Sequence, residues 1–193
     1  LAAIRLTQLL LQAVGIFLHE VQHAAAQRLR LRLGGGGLAS GVTRYLRSEA
    51  PQTEFRFVEP LGGASLTAAL AGQGPVTLKK VNSFVDGAAV ARLGARTFEA
   101  LKIVRAEEVL LAPEDRICVT MLEMLNIEGI VLEPAGALSI DVLPELADLI
   151  AGKTVICVTS GGNFDFERLP EVKERAQRYS GLKKYFILRM PQR

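Results

Sequence analysis

Apolar and polar positions along the chain fall into alternating helix-like and strand-like segments. Helix-like stretches run from Leu38 to Ser48, Ala64 to Ala71, Thr97 to Arg105, Asp115 to Leu125, Ala135 to Ile150 and Leu169 to Tyr179. Strand-like runs lie between them at Glu54 to Glu59, Glu107 to Leu111, Ile130 to Leu132 and Thr154 to Val158, and the stretch from Gly72 to Gly94 is irregular. Strands alternating with helices predict an α/β fold, a mostly parallel sheet with right-handed crossovers and helices on both faces. Gly72 and Gly152 stand where residues that close a helix belong.

Leu1 to Leu33 has a different texture. Glu20 is its only acid, Arg5, Arg28, Arg30 and Arg32 give it a basic bias, and Ile4, Leu6, Leu9, Leu10, Ala13, Ile16, Phe17 and Val21 follow helical spacing. The expectation is an amphipathic helix too interrupted to span a membrane. Composition narrows the classes further. A chain of 193 residues, 49% hydrophobic and 22% charged, can bury a core and make one domain. No stretch interleaves Lys or Arg with aromatics and Trp is absent, so nothing points to a nucleic-acid partner. Cys118 and Cys157, both in apolar segments, read as buried thiols of a reducing, cytoplasmic compartment.

The strongest chemical signal is the run Gly34, Gly35, Gly36, Gly37 ahead of Leu38 and a helix. Four residues without a Cβ let backbone N–H groups converge, and the helix behind them adds the positive end of its dipole, which suits a phosphate dianion. The alternative is a flexible linker, but Leu31, Leu33, Leu38 and Val42 flank the run with apolar side chains. A second signal is the apolar run Thr154 to Val158 followed by Thr159, Ser160, Gly161, Gly162 and Asn163. In an open α/β sheet the C-terminal end of a strand faces the ligand crevice, and a hydroxyl there can bond a ligand's ring nitrogen without adding charge. A turn leading into the helix Leu169 to Tyr179 is the structural alternative.

In order and spacing, GGGGLASGV (34–42), FVEP (57–60), SFVDGAAVARLG (83–94), EPAGAL (133–138) and SGGNFDFERLPEVKERA (160–176) make the chain from Leu33 onward resemble the biosynthetic threonine dehydratases. These are pyridoxal 5'-phosphate enzymes of fold type II, the tryptophan-synthase-β type. The resemblance implies a partial pyridoxal-phosphate-binding catalytic domain over 34–180, an atypical segment over 1–33, and over 181–193 the start of a truncated ACT-like regulatory domain. It implies that Gly34 to Gly37 and Leu38 hold the cofactor phosphate and Ser160 the pyridine nitrogen. It also implies a cytoplasmic ammonia-lyase of isoleucine biosynthesis, converting a small amino-acid substrate, L-threonine, to 2-oxobutanoate and ammonia, and homo-oligomeric in its intact parent. The family's Schiff-base lysine, in a Ser-x-Lys-x-Arg-Gly segment upstream of the glycine loop, has no counterpart here. Lys79, Lys80, Lys102, Lys153, Lys173, Lys183 and Lys184 all lie in other contexts, Lys79 and Lys80 in a polar, solvated connection. The expectation is therefore an internal, inactive piece of an enzyme.

Two readings compete with it. One is a noncatalytic protein that keeps a phosphate cradle. The other rests on HEVQH, in which His19 and His23 one helical turn apart could grip zinc and Glu20 activate its water. These are the chain's only histidines, so a carboxylate would have to supply the third ligand, and the expectation is no metal site. Nor is a divalent-ion site expected at Glu59, because the acid that pairs with it in some relatives is replaced by Ser65. Glu133 reads either as a partner near the cofactor or as the N-cap of a helix starting at Pro134, and Asp86 either as substrate-side or as part of an Asp-Gly turn.

Overall fold

The computed structural model describes residues 28–32 and 36–190. Its frame is one sheet of four parallel strands, β1 (Arg28–Arg32), β2 (Glu54–Pro60), β3 (Val109–Ala112) and β4 (Val155–Cys157), in the order β3-β2-β1-β4. Strand β1 is flanked on one side by β2, with Leu29 opposite Phe55, and on the other by β4, with Leu29 opposite Ile156. Seven α-helices complete the described residues: α1 (Gly37–Glu49), α2 (Ser65–Ala71), α3 (Ala95–Leu101), α4 (Glu114–Ile127), α5 (Pro134–Asp141), α6 (Ala147–Ile150) and α7 (Leu169–Tyr179).

Strand β2 shows why the sheet is covered on both faces. Its side chains alternate, so Phe55 and Phe57 enter one core while Val58 enters the other. The first core gathers Val42 and Leu46 of α1, Leu66 of α2, and Phe98 and Leu101 of α3. The second gathers Ile117 and Met121 of α4, Leu138 of α5 and Val172 of α7. Val109 and Ile156 pack against the first, Leu110 against the second, so β3 follows the same alternation. A strand buried on both sides is what an all-parallel sheet requires, and the α/β expectation is met.

Four local expectations are corrected. Arg28–Arg32 is a strand, not part of a helical N-terminal segment; its Arg-Leu-Arg-Leu-Arg alternation has the strand period of two. Leu1 to Gln27 lie outside the described residues, and with them His19, Glu20 and His23. Ile130–Leu132 forms no strand: Gly129 takes φ +68° and Ile130 donates to Met124 O at 2.9 Å, so these residues close α4. The helix expected from Ala135 to Ile150 breaks after Asp141, because Pro144 lacks an N–H and its ring crowds the preceding turn. The helix expected from Thr97 to Arg105 ends at Leu101. Beyond α7, residues 182–190 carry no regular structure, and Phe186, Ile187 and Leu188 are exposed.

Phe57 is fully buried at the centre of the first core. Phe57→Ala should lower the stability of the chain by about 3–5 kcal/mol, read as a shift in the urea unfolding midpoint.

Candidate functional site at the sheet's C-terminal edge

Because β1 and β4 are parallel neighbours, the segments that follow them leave the sheet at the same edge. One is the glycine run after Arg32, the other the stretch Val158–Asn163 after Cys157. The chain turns from β1 to β2 on one side and returns to β4 on the other, so this is where the strand order reverses, the position at which open α/β sheets bind ligands. The structure thus brings Gly36, Gly37 and Leu38 to the same edge as Ser160. Gly34 and Gly35, also assigned to the phosphate cradle, lie outside the described residues.

Gly36 is the N-cap of α1 and adopts φ +77°, a left-handed conformation that glycine alone enters freely. It is buried, and a Cβ there would stand 2.4 Å from Thr97 Cγ2 and 3.0 Å from Leu93 Cδ1, so α3 and the residues before it form the wall behind the turn. At Gly37 the same atom would meet nothing within 4 Å, and that side is open. The first turn of α1 has no side-chain cap and no acidic residue. Its leading N–H groups and the positive end of a 13-residue helix are therefore left for an acceptor outside the helix. A narrow glycine backbone, open amides and a helix N-terminus together fit a phosphate group.

Ser160 is exposed, and helix α5 fixes the segment that carries it. Ser139 donates its hydroxyl to Val158 O at 3.0 Å, and the Glu133 N–H donates to Gly161 O at 3.0 Å. The contact is close enough that a Cβ on Gly136 would lie 2.2 Å from Gly161 O, and one on Gly161 would lie 2.4 Å from Glu133 Oε1. Glu133 is also the N-cap position of α5, with Pro134 as the first helical residue. Gly136, Gly161 and Ser139 escaped the sequence reading as functional positions. A glycine inside a helix, which costs stability unless something approaches it, was the available signal.

Carboxylates secure the rest of the edge. Glu59 is fully buried at the end of β2 and accepts from Leu66 N at 2.7 Å, Thr67 N at 2.9 Å and Thr67 Oγ1 at 2.8 Å, so it caps α2 from across a turn. Burial pushes its carboxyl above the usual carboxylate range against the downward pull of those hydrogen bonds. Glu114 accepts from Gly62 N at 2.7 Å. Asp86 accepts from the Gly87 N–H at 2.8 Å in an exposed turn. Among the described residues no group of three or more His, Cys, Asp and Glu side chains is placed to hold a metal ion.

None of the seven lysines is buried. Cys118 is buried, its thiol pushed up to about 12 by desolvation, whereas Cys157 is half-buried on the edge strand β4, its Sγ 3.5 Å from Ser139 O. The expectation of buried thiols holds for Cys118, and Cys157 is half-buried. Among the described residues no helix is long and apolar enough to cross a membrane.

Two substitutions on adjacent glycines should separate structure from access. Gly36→Ala should lose about 2–4 kcal/mol in urea unfolding, from the left-handed backbone and the overpacking against Thr97. Gly37→Ala should stay within about 0.5 kcal/mol of the parent. For Glu59, the raised pKa means that the folded state binds the proton more tightly than the unfolded chain. This group's contribution to stability therefore falls as pH rises from the ordinary carboxylate value through the folded one. Urea unfolding of Glu59→Gln beside the parent should show the variant comparing more favourably at pH 7.5 than at pH 5.

The sequence matches the family model described as pyridoxal-phosphate dependent enzyme over residues 17–161, a match that begins before the motifs noted above and includes the HEVQH segment. Among curated proteins it is 47% identical over 161 residues to the L-threonine dehydratase biosynthetic IlvA of Bacillus subtilis (strain 168), covering 83% of this chain and 38% of that protein. It is 41% identical over 172 residues to the protein of the same name from Lactococcus lactis subsp. lactis (strain IL1403), covering 89% and 41%. Among solved structures, the processed form of threonine deaminase isoform 2 from Solanum lycopersicum superposes with a TM-score of 0.75 at 30% identity, covering 82% of this chain and 47% of that one. The chain thus spans about two fifths of the length of these curated relatives, and none of the matches supports a zinc peptidase. With its parallel sheet, and its glycine turn and serine loop at one sheet edge, the chain belongs to the pyridoxal-phosphate dependent enzymes.

Proposed function

We propose that the protein to which this chain belongs is a cytoplasmic L-threonine ammonia-lyase that converts threonine to 2-oxobutanoate and ammonia. The observation that carries the reading is the juxtaposition, at the point where the strand order reverses, of an uncapped helix N-terminus behind Gly36 and the Ser160 loop. The substrate rests on the names of the relatives, threonine dehydratases at 41% and 47% identity. Gly34 and Gly35 complete the cradle begun by Gly36, Gly37 and Leu38.

Backbone N–H groups of the glycine turn and of Leu38 hold the phosphate of pyridoxal 5'-phosphate and orient it from one end. Ser160 bonds the pyridine nitrogen from the other. Being neutral, its hydroxyl does not hold a proton on that nitrogen as a carboxylate would. Bound pyridoxal phosphate supplies an electron sink for the bonds broken at the substrate's Cα and Cβ. Glu133, Gly136 and Ser139 set the height of the Ser160 loop through the contacts with Gly161 and Val158. A lysine that carries such a cofactor needs a desolvated pocket, and all seven lysines here are exposed, so none of them is placed for that role. The intact protein works as a homo-oligomer on a small amino acid, without a nucleic-acid or membrane partner.

In the full-length protein, 2-oxobutanoate release from L-threonine should be saturable. Ser160→Asp should reduce kcat about 100-fold or more, with cofactor content by absorbance retained. Absence of turnover, or a Ser160→Asp variant as fast as the parent, would overturn the reading. For the chain alone, borohydride reduction with pyridoxal phosphate followed by peptide mapping should label several of the exposed lysines weakly. One dominant labelled lysine would place the Schiff base within these residues.

A further inference from the structure

Five arginines elsewhere in the fold meet carboxylates, while Arg92 bonds the Thr77 hydroxyl. Arg56 lies beside Glu54, Arg105 beside Glu107 and Glu108, Arg116 beside Asp141, Arg168 beside Glu171 and Arg175 beside Asp115. Arg44 and Arg47, one turn apart on α1, and Arg96 on α3 have no carboxylate partner among the described residues. All three line one cleft of about 500 Å³ between those helices. Its acid, Glu99, is already held by Lys102 at 2.7 Å. Thr43 also lines the cleft; it is 1% exposed, and its Oγ1 is buried without a hydrogen-bond partner. Ile103, 55% exposed, supplies an apolar wall.

Gathering like charges in one concavity raises the local potential, and a buried hydroxyl without a partner is unfavourable. An anion with several acceptor oxygens relieves the crowding of charge. Three guanidinium forks offer more donors than one carboxylate has lone pairs to accept, whereas a phosphate monoester brings three terminal oxygens and close to two charges. The volume falls within the roughly 300–1,000 Å³ typical of small-molecule sites. The cleft is separate from the glycine turn. At 1.5 Å per residue, Arg44 and Arg47 lie about 10 and 15 Å along α1 from Gly37.

We infer that the cleft between α1 and α3 binds a phosphorylated small molecule through Arg44, Arg47 and Arg96, as a second anion site distinct from the cofactor cradle. The test is calorimetric titration of the full 193-residue chain with adenosine 5'-monophosphate at low salt. Saturable binding with a Kd below about 1 mM is expected. Arg44→Gln and Arg96→Gln should each weaken it about tenfold or more, while Arg178→Gln, which removes the same charge from α7, should not. Thr43→Val should raise the melting temperature of the free chain, because it removes the unpartnered hydroxyl. Ser160→Ala should leave binding intact, and inorganic phosphate should compete.

No saturable heat up to about 10 mM would overturn the site and leave the cleft to an acidic protein surface. Equal loss in Arg178→Gln, abolition by Ser160→Ala or failure of phosphate to compete would overturn it as well. Because the readout is binding to α1 and α3, its failure leaves the ammonia-lyase reading untouched, and loss of threonine turnover leaves this one untouched.

Discussion

Strand β1 is hydrogen-bonded in parallel on both sides, to β2 and to β4, and the geometry of the crevice follows from that double pairing. Parallel strands end at the same edge. Two strands side by side therefore deliver their following loops side by side, whatever the separation of those loops in sequence. The pairing of Arg30 with Cys157 sets the offset, so the glycine run and Ser160 leave the sheet within a few residues of equivalent positions. An antiparallel β4 would have carried Ser160 to the opposite edge.

Backbone rather than side-chain chemistry dominates what stands at that edge. Glu59 supplies the α2 amides with an acceptor, and Glu114 does the same for Gly62. At α5 the helix meets the Ser160 loop by main-chain contact, glycine facing glycine, with no room for a β-carbon. Helix α1 has no acid and no side-chain cap in its first turn, as is also the case for α3 and α5. What sets α1 apart is its place: its open start follows the glycine run at the sheet edge that also carries Ser160. Behind it, the turn at Gly36 is braced by Thr97 and Leu93, so the open amides are held in place by packing rather than by polar contacts.

Much of this was legible in the sequence. The α/β alternation, helix α7 to the residue, and strand β2 to within one residue follow from periodicities that tertiary contacts did not override. The glycine run and the serine after β4 were legible because residues without Cβ atoms at element ends have few other uses. Other features were hidden for identifiable reasons. The Arg28–Arg32 strand was masked by the helical spacing upstream of it, although its own period is two. The break at Pro144 was written in the sequence and lost within an apolar run. The Gly136–Gly161 contact joins residues 25 apart, and no local pattern encodes a distance of that kind. The buried acceptor role of Glu59 depends on Leu66 and Thr67, neither of which advertises a need for a carboxylate.

The strand order also favours one sequence of assembly. Arg28 pairs with Glu54 after one short crossover, and with Val155 only after the whole of the intervening chain has folded back across the sheet. Closing that longer loop costs about 1–2 kcal/mol more in chain entropy, and contacts between distant residues form slowly. The unit of β1, α1 and β2 closes over the shorter of the two loops. Strand β4, three residues long and paired with β1, is added at the end. Loop entropy thus favours completing the site last, at the docking of β4, and a chain without that pairing carries one half of the site without the other.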